Sequence, residues 1–284
     1  VSALSRFASP RIVVGGTIVG IVCAVAIAAP WIAPHNPQDQ DMLATLLPPA
    51  FREGGDTSYP LGTDSLGRCV LTLLIYGTRV ALSVAVFGAL GAMIIGAALA
   101  HIAGYFGGRT DRLISKFVEA WMSFPPVILA LILMICFGVG LRNVILAIIL
   151  VDWTRFCRVL RVEVMAIAGK DYVAAARLAG FSHFTTIVRE VMPATLPLLL
   201  TLLSLEAGIA VIVEAILSFV GYSVESDRPA WGQMIADARE SIHQAPFNLL
   251  LPILCIFFTV LGFNLLGDGL RRATDARLAQ NRRP

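Results

Sequence analysis

Six long apolar stretches, divided by polar turns and loops, set the pattern of the chain: Ile12 to Ile32, Val80 to Ala103, Trp121 to Phe137, Val144 to Leu160, Thr195 to Val220 and Asn248 to Leu266. A helix needs ~20 apolar residues to cross ~30 Å of hydrocarbon, and most of these runs meet that length. The third and fourth are the shortest. The pattern predicts an all-α membrane protein of six transmembrane helices. Pro125 and Pro126 interrupt the third run and predict a kink there, because proline removes a backbone donor. The glycines at 77, 88, 91, 96 and 104 mark places where a neighbouring helix approaches closely.

Composition agrees with a membrane protein. Hydrophobic residues make up 57% of the 284 positions and charged residues 14%, against about 25% charged in ordinary soluble domains. Lys and Arg favour the cytoplasmic ends of spans. With both termini inside, 16 of the 22 basic residues fall in cytoplasmic segments, among them Arg6, Arg109, Arg155, Arg158, Arg177, Arg277, Arg282 and Arg283. The net charge of +3 is then a topology signal, and binding to nucleic acid has no support. The first run exceeds the ~7–15 apolar residues of a signal core and is read as a retained span. These boundaries divide the chain into a cytoplasmic tail with the first helix (1–33), an extracytoplasmic loop (34–79) and a five-helix core (80–284).

Between the fourth and fifth runs lies a polar, helix-forming segment, DYVAAARLAGFSHFTTIVREVMP, from Asp171 to Pro193. Ala174, Ala175 and Ala176 give a thin helical first half, Gly180 supplies a break, and Pro193 starts the next apolar run. The spacing A-A-A-x3-G-x12-P resembles the cytoplasmic coupling loop of ABC-importer permeases, with Ala174 where that family often has Glu. Other motifs follow in order: PHNP at Pro34 to Pro37, YPLGTDSLGRCVLTLLIYGTRVALSV at Tyr59 to Val84, GYFGGRTDR at Gly104 to Arg112, and SFPPVILAL at Ser123 to Leu131. LSFVGYS at Leu217 to Ser223, PAWGQM at Pro229 to Met234 and FNLLGDGLRR at Phe263 to Arg272 complete the series. Together they resemble the C-type permease subunit of dipeptide and oligopeptide ABC importers over nearly the whole chain. Cys69, after Gly67-Arg68, departs from that subfamily's usual Asp.

The resemblance implies a MetI-like helical fold and a heteromeric assembly in the inner membrane. Its partners would be a second permease, two ATP-binding subunits or one fused pair, and an extracytoplasmic substrate-binding protein. Asp171, Tyr172, Ala174, Ala175, Ala176, Arg177, Gly180 and Pro193 are the candidate contacts of the coupling loop. The chain has no G-x-x-x-x-G-K-[ST] and only two lysines, Lys116 and Lys170, neither of which fits a P-loop. No cofactor is expected in the chain, so ATP and Mg would belong to partner subunits and the chain would not itself be an enzyme.

Charges at mid-membrane are costly and mark function by default. Glu206 and Glu214, eight residues apart and about 80° apart on a helical wheel, are candidate linings of a translocation path together with Ser218. A secondary transporter, with these acids carrying protons or ions, is the rival reading, and inverted repeats that would favour it are not visible. His101 and Asp152 fall near span ends and are expected to be solvated at the interface. Cys69 is expected to lie outside the membrane and Cys157 near its cytoplasmic face. Without a CxxC or a Cys/His zinc spacing, neither a disulfide nor a metal site is expected.

Overall fold

The computed structural model describes residues 9–225 and 228–280, with no side-chain detail at 274–280. Arg6, Arg282, Arg283 and the side chain of Arg277, used above to orient the chain, lie outside that description. Among the described residues the elements are helical, and the chain is built around long apolar rods. Helix α1 spans Pro10–Ile32, and α2 runs Val70–Phe106 with a π-turn at Val84–Gly88. Helices α3 (Gly108–Met122) and α4 (Pro126–Phe137) are joined by a sharp bend, and α5 spans Leu141–Ala168. The short α6 (Asp171–Leu178) precedes α7 (His183–Phe219), then α8 (Trp231–Ala238) and α9 (Pro246–Gln280) close the chain.

Local chemistry sets these limits. Ser9 caps α1 by accepting from the Ile12 N–H at 3.4 Å, and Pro10 occupies the first turn, where its missing donor costs nothing. The expected kink at Pro125–Pro126 is an 83° break between α3 and α4. Trp121, just before it, donates its indole N–H to the Leu150 carbonyl at 2.8 Å and holds the bend against α5. Helix α2 begins at Val70, ten residues ahead of the apolar run read from Val80, because Thr72, Gly77, Thr78 and Arg79 dilute its hydropathy. By length and composition α1, α2, α7 and α9 can each cross a bilayer, and the bent pair α3–α4 makes a fifth crossing if counted as one. Helix α5 is long enough as well, yet it carries Asp152, Arg155, Arg158, Arg161 and Glu163, which must face protein or water.

Packing relies on small residues at helix contacts. On α2, a Cβ at Gly104 would sit 2.8 Å from the Arg161 carbonyl oxygen of α5, and one at Gly96 would overlap the Trp153 carbonyl. At the other seam, a Cβ on Gly15 of α1 would meet the Gly262 carbonyl of α9 at 2.8 Å. Backbones approach this closely only without side chains between them, the usual means of gaining dispersion contact where lipid removes any hydrophobic drive. Three apolar clusters fill the interior: one around Trp153, Phe156 and Leu160, one around Val84, Met134 and Ile148, and one around Leu73, Val211 and Trp231.

The loop between α1 and α2 is folded onto the ends of α8 and α9. Asn248 donates to the Thr63 carbonyl at 2.9 Å, and Arg68 bridges Asp64 at 2.6 Å to Asp237 at 3.3 Å. Arg52 lies 4.6 Å over the Phe247 ring, and His35 stacks on Tyr59 with centroids 4.8 Å apart. Cys69, expected to be outside, is 3% exposed at the start of α2, so its thiol is sealed by this loop.

Candidate functional site

Two places in the fold concentrate polar chemistry: the α6–α7 connection at one end of the bundle, and a charged cluster on the facing sides of α5 and α7. In the first, Asp171 opens α6 and Arg177 closes it, each with the sign that its end of the helix dipole favours. Val173 alone in this helix is buried, at 1% exposure, and pins it to the bundle. Tyr172, Ala174, Ala175 and Arg177 face outward while Ala176 is half-buried. The chain then leaves α6 through Gly180, whose φ of +89° only glycine adopts cheaply. The Phe181 N–H returns to the Ala176 carbonyl at 3.2 Å and the Gly180 N–H to Arg177 at 3.0 Å, which closes the helix end. Ser182 restarts the helix by accepting from the Thr185 N–H at 3.1 Å.

The result is helix, left-handed glycine, helix, with Pro193 exposed in the first full turns after the π-turn at Ile187–Val191. A Cβ on Gly180 would meet nothing within 4 Å. Around it stand Leu178 at 90% exposure, Phe184 at 76% and Phe181 at 40%. Sequence reasoning gave these three no role; the available signal was the presence of large apolar residues in an otherwise polar segment. Tyr105, at the end of α2, is 3.1 Å from the His183 ring through its hydroxyl, tying the connection to the bundle. Burial, and then the Glu190 charge, raise the Tyr172 phenol above its ordinary pKa.

The second place joins three charges. Arg155 donates to Glu206 at 3.1 Å and lies 3.6 Å from Asp152, one turn back on its own helix. Glu206 lines a cavity of about 370 Å³ with Arg155, Arg158, Leu202, Leu205 and Ile209. Glu214 does not share it. Its carboxylate, 1% exposed, accepts from the Ser218 hydroxyl at 2.5 Å and the Ser223 hydroxyl at 3.1 Å. The wheel offset of Glu206 and Glu214 thus places one beside a cavity and the other inside the bundle.

Two expectations need correction. Asp152, at 1% exposure, and His101, at 6%, are interior residues rather than solvated interfacial ones. His101 bonds the Ala97 carbonyl at 2.7 Å and the Thr195 hydroxyl at 3.2 Å, joining α2 to α7, and Asp152 packs where α5 faces the α3–α4 break. Hydropathy concealed this, because α2 and α5 both continue past their apolar runs, to Phe106 and Ala168, and turn His101 and Asp152 toward neighbouring helices.

Long apolar helices packed through glycine, with an exposed helical connection at one end, define a helical integral membrane protein. The chain belongs to the family of binding-protein-dependent transport system inner membrane components, which matches residues 92–280, and residues 5–49 match the N-terminal transmembrane domain of oligopeptide transport permease C. It is 40% identical over 268 residues to the dipeptide transport system permease protein DppC of Escherichia coli (strain K12), covering 94% of this chain and 89% of that protein. The glutathione transport system permease protein GsiD of Pectobacterium atrosepticum is 34% identical, covering 94% of this chain and 87% of the relative. The nickel transport system permease protein NikC of Escherichia coli (strain K12) is also 34% identical, with 92% of each covered. In fold, the chain resembles a chain of the MetNI methionine ABC transporter in an inward-facing conformation, with TM-score 0.57, 18% identity, and coverage of 72% of this chain and 96% of that one. The protein is therefore an ABC-importer permease subunit with a MetI-like fold.

Proposed function

We propose that this subunit forms half of a translocation path for peptides and couples it to ATP hydrolysis by partner subunits. The observation that carries the peptide reading is the 40% identity, across 94% of the chain, to a dipeptide permease. The glutathione and nickel relatives keep small solutes of other kinds as alternatives. The assembly comprises a second, homologous permease, two ATP-binding subunits that hold ATP and Mg, and an extracytoplasmic binding protein. Both termini and the 171–193 segment face the cytoplasm, the 34–79 loop faces outward, and residues 80–284 form the core of the path.

In this reading α6, Gly180 and the start of α7 fit into a groove of an ATP-binding subunit. Asp171, Tyr172, Ala174, Ala175, Ala176, Arg177 and Gly180 lie along the contact, while Pro193 sits where the motion enters α7. Leu178, Phe181 and Phe184 supply exposed apolar area for it, and the open space over Gly180 leaves room for a partner's backbone. Closure of the nucleotide-binding pair would then swing α7 as a lever. Glu206 lines the path, and Glu214 with Ser218 braces the wall behind it.

The test compares Gly180→Ala with Gly180→Trp. Both meet the positive φ, at a cost of about 1–2 kcal/mol, but only tryptophan obstructs the contact. Co-purification of the ATP-binding subunits and ATP hydrolysis stimulated by the loaded binding protein should survive in Gly180→Ala and fall in Gly180→Trp. Equal retention in both variants excludes this segment as the coupling element.

A further inference from the structure

The charged cluster between α5 and α7 contains one cation that the fold does not use. Arg155 is spoken for, held between Glu206 at 3.1 Å and Asp152 at 3.6 Å. Both acids are nearly inaccessible, at 7% and 1% side-chain exposure, whereas the Arg155 side chain is 33% exposed. Buried acids on its inner side therefore fix the direction of Arg155, and its remaining surface lies at the ≈ 370 Å³ cavity. One turn further along α5, Arg158 lines the same cavity and also the neighbouring one that holds Glu119, and among the described residues it makes no ion pair or side-chain hydrogen bond. The rest of the lining, Met122, Phe156, Val159, Leu202, Leu205 and Ile209, is apolar.

Arg158 is exposed at the mouth of an otherwise apolar cavity, so its guanidinium is free to take an anion that enters there. Its planar fork matches a carboxylate with two parallel hydrogen bonds, a geometry that lysine cannot reproduce. A peptide crossing an apolar wall faces the complementary difficulty, because its terminal carboxylate loses hydration. We propose that Arg158, with Arg155 oriented by Asp152 and Glu206 beside it, reads the carboxylate of the passing substrate and determines selectivity for carboxylate-bearing solutes. This rests on the peptide reading above. The cavity exceeds what a single carboxylate fills, leaving its apolar walls to accommodate varied side chains without specific contacts.

The test uses the whole complex with its binding protein in vesicles of phosphatidylcholine, with and without phosphatidylglycerol, and dialanine as the probe. The quantity read is peptide taken up per ATP hydrolysed. Arg158→Gln should lower this ratio about tenfold, the scale of one lost charge-assisted pair, and Arg158→Lys should fall between it and the parent. The same loss is expected in both kinds of vesicle. An unchanged ratio in Arg158→Gln overturns the assignment. So does equal loss in the lysine variant, which would make the side chain a structural group, as would failure of Arg158→Gln to assemble. A loss confined to vesicles containing phosphatidylglycerol would show that the guanidinium holds lipid phosphate instead. If the unmodified complex takes up no dialanine with ATP, the peptide reading itself fails, a result distinguishable from all of these.

Discussion

At Glu214 an acid is stabilised inside a membrane protein by two hydroxyls rather than by an opposite charge. Ser218 and Ser223 both direct their protons to one carboxylate oxygen, and the Ser223 carbonyl in turn accepts from the Gly140 N–H at 2.7 Å. One side chain thereby ties the end of α7 to the turn before α5. Glu214→Leu leaves two interior hydroxyls without their acceptor, a cost of about 1–3 kcal/mol for each group that finds no other partner. The expected result is a lower melting temperature of the purified subunit in detergent, with Glu214→Gln closer to the parent because it keeps an acceptor oxygen. Gly104 makes a second test, since a side chain there meets the Arg161 carbonyl at 2.8 Å and Val164. Gly104→Leu must push α2 away from α5, and overpacking of this kind costs about 1–3 kcal/mol, read as reduced recovery of folded protein. The role of glycine at such seams is legible in sequence, because small residues in apolar runs have few other uses. The partners of Glu214 are not, because they depend on how the chain turns after α7.

At the level of elements, apolar run length located most of the rods, and Pro125–Pro126 located the bend. It misjudged where α2 begins and how far α5 extends, because polar residues that face protein read like loop residues when only hydropathy is considered. The helix–glycine–helix form of the 171–193 connection was visible in Ala174 to Ala176 and Gly180, whereas its exposed apolar rim was not. Burial also changes how orientation should be measured. Cys69, at the end of the α1–α2 loop, and Cys157, in the bundle, are 3% and 1% exposed, so neither native thiol should react with an impermeant reagent. Leu43, 97% exposed, and Leu178, 90% exposed, are better reporters. In a background with the five native cysteines replaced, Leu43→Cys should label in cells stripped of outer barriers. Leu178→Cys, with the subunit produced without its ATP-binding partners, should label only after permeabilisation. The reverse pattern would invert the proposed topology.

For the whole molecule, the charged cluster, the proposed path wall and the proposed coupling segment lie on the two helices α5 and α7 and the short connection between them. Movement imposed on α6 would therefore pass through the short turns at either end of it into α5, which carries Arg155, and α7, which carries Glu206. The family relationship makes the subunit part of an ABC importer, and its own sequence lacks the P-loop chemistry needed to drive transport. The same acids would serve a different purpose in a secondary transporter, where Glu206 would carry a proton or ion through the cavity. Energy source separates the two mechanisms most directly. The measurement is uptake of radiolabelled dialanine into vesicles containing the assembled complex and its binding protein, with ATP supplied on the face bearing the ATP-binding subunits, or with an imposed proton gradient alone. The account predicts uptake with ATP that persists when the gradient is collapsed by an uncoupler, and none from the gradient without ATP. Uptake driven by the gradient alone, insensitive to removal of ATP, would contradict it.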